Sequence, residues 1–259
     1  MNKIINNFIQ YHSKHNDLLI RAKDIIEHDL IFSSFKMLFF INPSEKVIIE
    51  EFVKLYDHIN VSFISNFINN ERSLVIIHHS DYIINNDNFL KIYCFKYNLK
   101  FNVISHRDVL GALLNLKIDR HLLGDIYINN DIVYFEVAQT ISKYILDNLN
   151  RINKVNVLLI EEDNRITIIK EYQEFKVIIN SLRLDNVIKS IIKSSSLDAK
   201  KFIIKGNVKV NYSENDNLTY QVTNNDLLSL RGYGRYYLEI NEGYRTKKNK
   251  YIIILKKVI

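Results

Sequence analysis

A single cysteine, Cys94, leaves no partner for an intrachain disulfide and too few thiols for a cysteine-based zinc site. A reducing cytoplasm is the expected compartment. The first of only six glycines is Gly111, so the first hundred residues contain no glycine-rich phosphate loop. No apolar run approaches the roughly 18 residues that a membrane span needs. The longest patches, 37–41 and 251–255, read as core segments. The first seven residues lack the apolar stretch of a signal peptide. Against these absences, 47% hydrophobic and 25% charged residues are ordinary for a soluble globular protein. With 259 residues, the chain is expected to form two or three domains.

Lysine, isoleucine, asparagine and tyrosine are abundant, as in proteins from AT-rich genomes, so the net charge of +6 carries little weight alone. Its distribution carries more. Residues 178–259 hold 15 Lys+Arg and 7 Asp+Glu, a net of +8, whereas residues 1–177 hold 20 and 22, a net of −2. Codon drift would enrich lysine everywhere. A compact segment at +8 calls for a polyanion: RNA, DNA or an anionic membrane.

Residues 1–60 read as an N-terminal helical region, with Leu18, Leu19, Ala22, Ile25 and Ile26 at helical spacing and a second helix starting at Pro43. Strand-like runs follow at 61–64, 74–78 and 91–95. Residues 100–104 are a strand candidate, 107–116 a helix, 125–128 and 132–137 two strands around Asn129-Asn130-Asp131, 138–149 a helix and 155–160 a closing strand. That order makes 61–160 a central ferredoxin-like, RRM-like βαββαβ domain, without the aromatic motifs of a true RRM. Phe101, Tyr134 and Phe135 are read as core aromatics at least as readily as stacking residues. Residues 161–177 read as a charged linker, with an edge strand within 165–170. The expected class is therefore α+β, closed by a basic domain over 178–259.

In that domain Ser181 is a plausible N-cap for a helix with Asp185 in its first turn. Leu184, Val187, Ile188, Ile191 and Ile192 form one stripe, and Lys189 and Lys193 share another face. After Ser194-Ser195-Ser196, a second helix over 197–205 turns Ala199, Phe202 and Ile203 inward and Lys201 and Lys205 outward. Gly206 ends it. Val208-Lys209-Val210-Asn211 is then a strand with Lys209 opposite the two valines. The lysines are expected to converge on one surface suited to RNA phosphates. Each taken singly is as well explained as a solvated residue.

Arg183-Leu184-Asp185, the second helix, Gly206, Val208-Lys209-Val210-Asn211 and Asp226-Leu227-Leu228-Ser229-Leu230-Arg231-Gly232 together resemble the S-four RNA-binding domain, named after a small-subunit ribosomal protein. In place of that family's second-helix Ser-Arg pair stands Ser195-Ser196, so Lys200 and Lys201 would have to substitute. Ser105-His106-Arg107-Asp108-Val109-Leu110-Gly111-Ala112-Leu113-Leu114, Ile118-Asp119-Arg120, Leu123-Gly124-Asp125-Ile126 and Arg231-Gly232-Tyr233-Gly234-Arg235 are similar to the signatures of the YlmH-type proteins, bacterial RNA-binding proteins encoded near cell-division genes. The likeness runs in order over about residues 61–259. It implies a cytoplasmic, monomeric factor that binds the large ribosomal subunit during ribosome-associated quality control. Its partners would be ribosomal RNA and tRNA or peptidyl-tRNA. The phosphate-holding residues would be Arg183, Lys189, Lys193, Lys200, Lys201, Lys205, Lys209, Arg231 and Arg235, with His106 and Arg107 as secondary contacts.

No catalytic, cofactor or metal-binding constellation is expected. His12, His15, Asp17 and His28 lack metal-site spacing. His106-Arg107-Asp108 spells a kinase tripeptide, but Leu113 stands where that loop needs asparagine; Ser105 and Asp108 read instead as a helix cap. His78-His79 is expected to lack partners, and Cys94 to be a buried strand residue. Gly232-Tyr233-Gly234 reads as a tight turn. A rival reading is an RNA-modifying enzyme, a pseudouridine synthase or methyltransferase with a basic delivery domain. Another is an interaction protein for the division machinery or a membrane.

Overall fold

The computed structural model describes residues 2–85, 89–246 and 248–259. The chain forms two compact units, Met1–Ile168 and Ile169–Ile259.

The first unit opens with α1 (Asn2–Tyr11) and α2 (Asn16–Glu27), then β1 (Phe35–Ile41), α3 (Pro43–Val53), β2 (Ile59–Ile64), β3 (Phe67–Ile68) and β4 (Ser73–His79). Asn42 caps α3: its side chain accepts from the Ser44 and Glu45 amides, and Glu45 returns a bond to the Asn42 amide. Strands β1, β4 and β2 form an antiparallel sheet with β4 in the centre. Residues 74–77 on β4 are all buried, because alternate side chains serve opposite cores. Val75 and Ile77 join the helices; Leu74 and Ile76 meet Phe40, Phe89, Leu90 and Ala138.

The unit continues with β5 (Leu90–Lys96), α4 (His106–Asn115), β6 (Leu123–Asn129), β7 (Ile132–Ala138), α5 (Gln139–Asn148), β8 (Arg151–Ile152), β9 (Val155–Asn156), β10 (Ile160–Glu162) and β11 (Ile166–Thr167). Four of these strands make a wholly antiparallel sheet in the order β10-β5-β7-β6. Tyr93, Phe95, Val133 and Phe135 point from it into a core shared with Val109 and Leu113 of α4 and Ile145 of α5. Asn130, in the left-handed conformation, makes the tight β6–β7 turn.

Several sequence expectations are corrected. Residues 35–41 lie within the stretch read as helical but form β1, since a short continuous apolar run has no period that separates a strand from a buried helix. Residues 100–104 contain no strand. The Asn98 side chain accepts from the Lys100 amide and folds the segment into a turn, leaving Phe101 and Val103 exposed. The first strand of that sheet is β5. Residues 155–156 pair with β8, and the closing strand is β10. The expected linker 161–177 is structured throughout much of its length: β10 and β11 belong to the first unit and β12 (Tyr172–Ile179) to the second. His78 bonds Ser62 at 3.0 Å and the His79 carbonyl at 2.8 Å, while His79 reaches the Leu30 carbonyl. Cys94 is half-buried, and burial raises its thiol pKa.

Where the three-stranded and four-stranded sheets of this unit meet, β7 places Glu136 almost wholly out of water. Its carboxyl accepts from the Asn66 amide at 2.5 Å and the Ser65 hydroxyl at 2.9 Å. A Cβ on Gly124 would lie 2.8 Å from the Phe40 ring and 2.9 Å from the Glu136 carboxyl, so only glycine permits this approach. Beside it Asp125 accepts from the Glu71 and Arg72 amides. Arg72 reaches the carbonyls of Phe40 and Leu123, and Arg120 that of Leu123. The motif residues Arg120, Gly124 and Asp125 thus join two sheets.

Desolvation pushes the Glu136 carboxyl up to about 8 from the ordinary 4.5, outweighing the bonds from Asn66 and Ser65. The folded protein therefore holds a proton that the unfolded chain releases between about pH 4.5 and 8, and stability falls as pH rises through that window. Glu136→Gln is expected to flatten this fall, which urea unfolding at pH 5, 6.5 and 8 measures. Equal pH dependence in parent and variant would contradict the buried neutral carboxyl.

Candidate RNA-binding surface

The second unit comprises β12, α6 (Leu184–Ile192), α7 (Ser196–Ile204), β13 (Val208–Val210), β14 (Ser213–Glu214), β15 (Leu227–Leu230), β16 (Gly234–Arg245) and β17 (Tyr251–Val258). Its strands form one antiparallel sheet in the order β12-β17-β16-β15-β13-β14. Leu184, Val187 and Ile188 of α6 and Ala199 and Ile203 of α7 pack with Val208, Val210, Leu228 and Leu230. Both helices therefore cover one face of this sheet.

Arg183, not Ser181, occupies the N-cap of α6; the Ser181 hydroxyl accepts instead from the Asn186 side chain. Arg183 grips Asp185 through two bonds of 2.9 and 3.1 Å. That contact holds the largely buried Asp185 carboxyl below the ordinary range. Lys189 extends from α6 to the Ser196 hydroxyl at 2.9 Å, and Lys193 ends the helix in the left-handed conformation. Ser195 caps α7 by accepting from the Asp198 amide.

A cleft of about 290 Å³ beside α6 gathers Lys189 and Lys193 with Lys250, a residue from the β16–β17 connection not singled out in the sequence. The signal available for it is the basic run Lys247-Lys248-Asn249-Lys250. Lys200, Lys201 and Lys205 are exposed on α7, flanked by the exposed apolar side chains Leu197 and Ile204. The Tyr233 ring meets Phe202 edge-on at 5.6 Å and so brings the 231–235 turn against α7. Gly232 and Gly234 supply the positive φ of that turn.

The cations do not converge on one surface. Lys209 pairs across the sheet with Ser229, and Ser229 with Arg235, so Lys209 and Arg235 share a face. It is the face opposite Val208, Val210 and the helices, because side chains alternate along a strand. Lys209 there also stands opposite Glu214, and Arg235 lies over the Tyr212 ring at 5.8 Å. The helix side keeps Lys189, Lys193, Lys250, Lys200, Lys201 and Lys205. His106 and Arg107 belong to the other unit, in the first turn of α4, where Ser105 and Asp108 form the reciprocal cap. Of the central aromatics, Phe135 is core, Phe101 is exposed in a turn, and Tyr134 stacks on Tyr127 on the opposite face of its sheet.

Over residues 84–165 the chain matches the family model described as "Putative RNA-binding domain in YlmH". It is 29% identical over 228 residues to "Ribosome-associated protein quality control protein P2" of Bacillus subtilis (strain 168), covering 86% of this chain and 87% of that protein. Over 84–165 the chain is thus similar to the YlmH RNA-binding domain. A solved structure titled "Cell division protein ylmH from Streptococcus pneumoniae" aligns with a TM-score of 0.49 at 22% identity, covering 57% of this chain and 91% of that one.

Several signature residues of the second unit build its shape. The buried Asp226 accepts from the Asn211 side chain at 2.7 Å and the Thr223 amide at 2.8 Å, and Asn211 in turn accepts from the Leu227 amide. Asp226→Ala would orphan these donors. It is expected to destabilise the unit by about 3 kcal/mol, visible as a lower urea midpoint. A midpoint within error of the parent would show that this latch contributes nothing.

Proposed function

We propose that the chain is a non-enzymatic RNA-binding protein that associates with the large ribosomal subunit in ribosome-associated quality control, contacting ribosomal RNA and tRNA or peptidyl-tRNA. The observation that carries this reading is the cationic helix side of the second unit. Six lysines from α6, α7 and the β16–β17 connection stand there on a folded scaffold. RNA phosphates, regularly spaced and permanently charged, are a polyanion matched to such a surface.

The fold supports the reading. A helix pair followed by the strand Val208–Val210 is the plan of an S-four-type domain. The βαββαβ order with strands arranged β10-β5-β7-β6 is that of a ferredoxin-like unit. Neither plan names a function alone. The family match and the name of the Bacillus subtilis relative point the same way. Among the described residues no helix is long and apolar enough to cross a membrane. The protein acts as a cytoplasmic monomer on this reading. Arg183 and Asp185 set the entry to α6, while Lys200, Lys201 and Lys205 make the direct phosphate contacts that the missing second-helix arginine would otherwise make.

The double substitution Lys201→Glu/Lys205→Glu tests this in filter binding to purified large-subunit RNA. Affinity is expected to fall about tenfold or more, and the slope of log K against log salt by roughly 1.4–1.8 for two lost phosphate contacts. Sedimentation with separated subunits should place the parent with the large one. Unchanged affinity and slope would remove the helix side as the binding surface.

A further inference from the structure

We propose a second RNA contact on the first unit: a cleft between α4 and the β8–β9 hairpin that takes an unpaired RNA segment. The proposal rests on the RNA-binding reading above and adds a site to it. The cleft has a volume of about 560 Å³ and is lined among others by Arg107, Gly111, Asn115, Asn150, Arg151 and Asn153.

Arg107, Gly111 and Asn115 are four residues apart and form one row along α4. Gly111 is unexpected in that row. Glycine within a helix is about 1 kcal/mol less favourable than alanine. Its φ is not positive, and a Cβ built on it meets nothing within 4 Å, so neither backbone geometry nor packing requires it. What glycine does provide is a notch of bare helix backbone between a guanidinium and an amide. This differs from Gly124, where packing leaves no room.

Across the cleft, the hairpin turns through Asn153 in the left-handed conformation. The Arg151 Nε donates to the Asn153 carbonyl at 2.9 Å, which fixes the guanidinium plane. The one carboxylate in the lining, Asp108, is engaged by the Ser105 amide and hydroxyl at 2.8 and 2.6 Å and by Asn153. Two exposed guanidinium groups therefore flank the exposed side-chain amides of Asn115 and Asn150, each both donor and acceptor. Guanidinium groups hold phosphates, and amides pair with the edges of bases, which only an unpaired segment presents to a protein cleft.

The test uses the full chain and a fluorescein-labelled 30-nucleotide single-stranded RNA of mixed sequence. Gly111→Gln fills the notch with a better helix former and is expected to keep the melting temperature while weakening binding at least fivefold. Arg107→Gln/Arg151→Gln is expected to lower the salt slope by about 1.4, and ultraviolet crosslinking should mark peptides spanning 105–116 and 148–154. Parental affinity in both variants without crosslinks there overturns the cleft. If Lys201→Glu/Lys205→Glu alone then abolishes binding, the helix-side reading survives without it. If the parent binds neither this RNA nor large-subunit RNA, the RNA-binding reading itself fails.

Discussion

A carboxyl group kept out of water at Glu136 is the constraint around which the first unit is arranged. Desolvation outweighs the bonds from Ser65 and Asn66 and pushes this carboxyl up to about 8, so burial there favours the protonated form. Its neighbours follow from that. Position 124 must be glycine, or the Phe40 ring could not close over the carboxyl. Asp125 and Arg72 tie the loop that carries Ser65 and Asn66 back to β6. The ordering of that loop lets the helix-backed sheet β1-β4-β2 share a core with the four-stranded sheet.

The second unit divides its labour in a comparable way. Its most recognisable residues, Arg183-Leu184-Asp185, Asn211 and Asp226, are engaged with one another or with backbone. They build the scaffold. The lysines that could meet a polyanion stand outside these motifs, at positions whose only requirement is exposure and a common side. Lys256 shows the contrast: bonds to Glu174 and Glu239 neutralise it, and it adds little to the outward field. A charge excess of +8 in a segment is thus a poorer guide to a surface than the partners of each cation.

Helices are legible in the chain, and so are most of their ends, with the start of α6 at Arg183 rather than Ser181 the exception. Stripes at helical spacing locate α2, α4, α6 and α7, and the Ser105–Asp108 cap is readable from four letters. Central strands are legible too, through short apolar runs. What escapes is whatever depends on distant partners. The run 35–41 becomes a strand because β4 offers it an edge, and 100–104 does not because a turn at Asn98 intervenes. The split of cations between two faces hinges on one fact, that Lys209 alternates with two core valines. Its sidedness is written in the sequence, but the placement of the helices on the valine side is not. Lys250 joins the α6 cleft from about sixty residues away, and the buried Glu136 gives no local sign, since one acid in an apolar strand reads as an exposed position.

The two proposed contacts differ in chemistry, and that difference determines what each can contribute. On the proposed reading, the lysines on α6 and α7 would meet phosphates as point charges, with little preference for sequence and strong dependence on salt. The α4 cleft, with fixed guanidinium planes and amides, can discriminate an unpaired segment from a duplex. Each contact alone is modest. On one chain, however, the second binding event is intramolecular, so its effective concentration is set by the connection between the units. Avidity can then exceed either affinity by orders of magnitude without a new contact, provided one RNA surface offers both features within reach. Folded RNA with exposed loops offers both phosphates and unpaired bases, whereas an isolated duplex offers the lysines its phosphates alone.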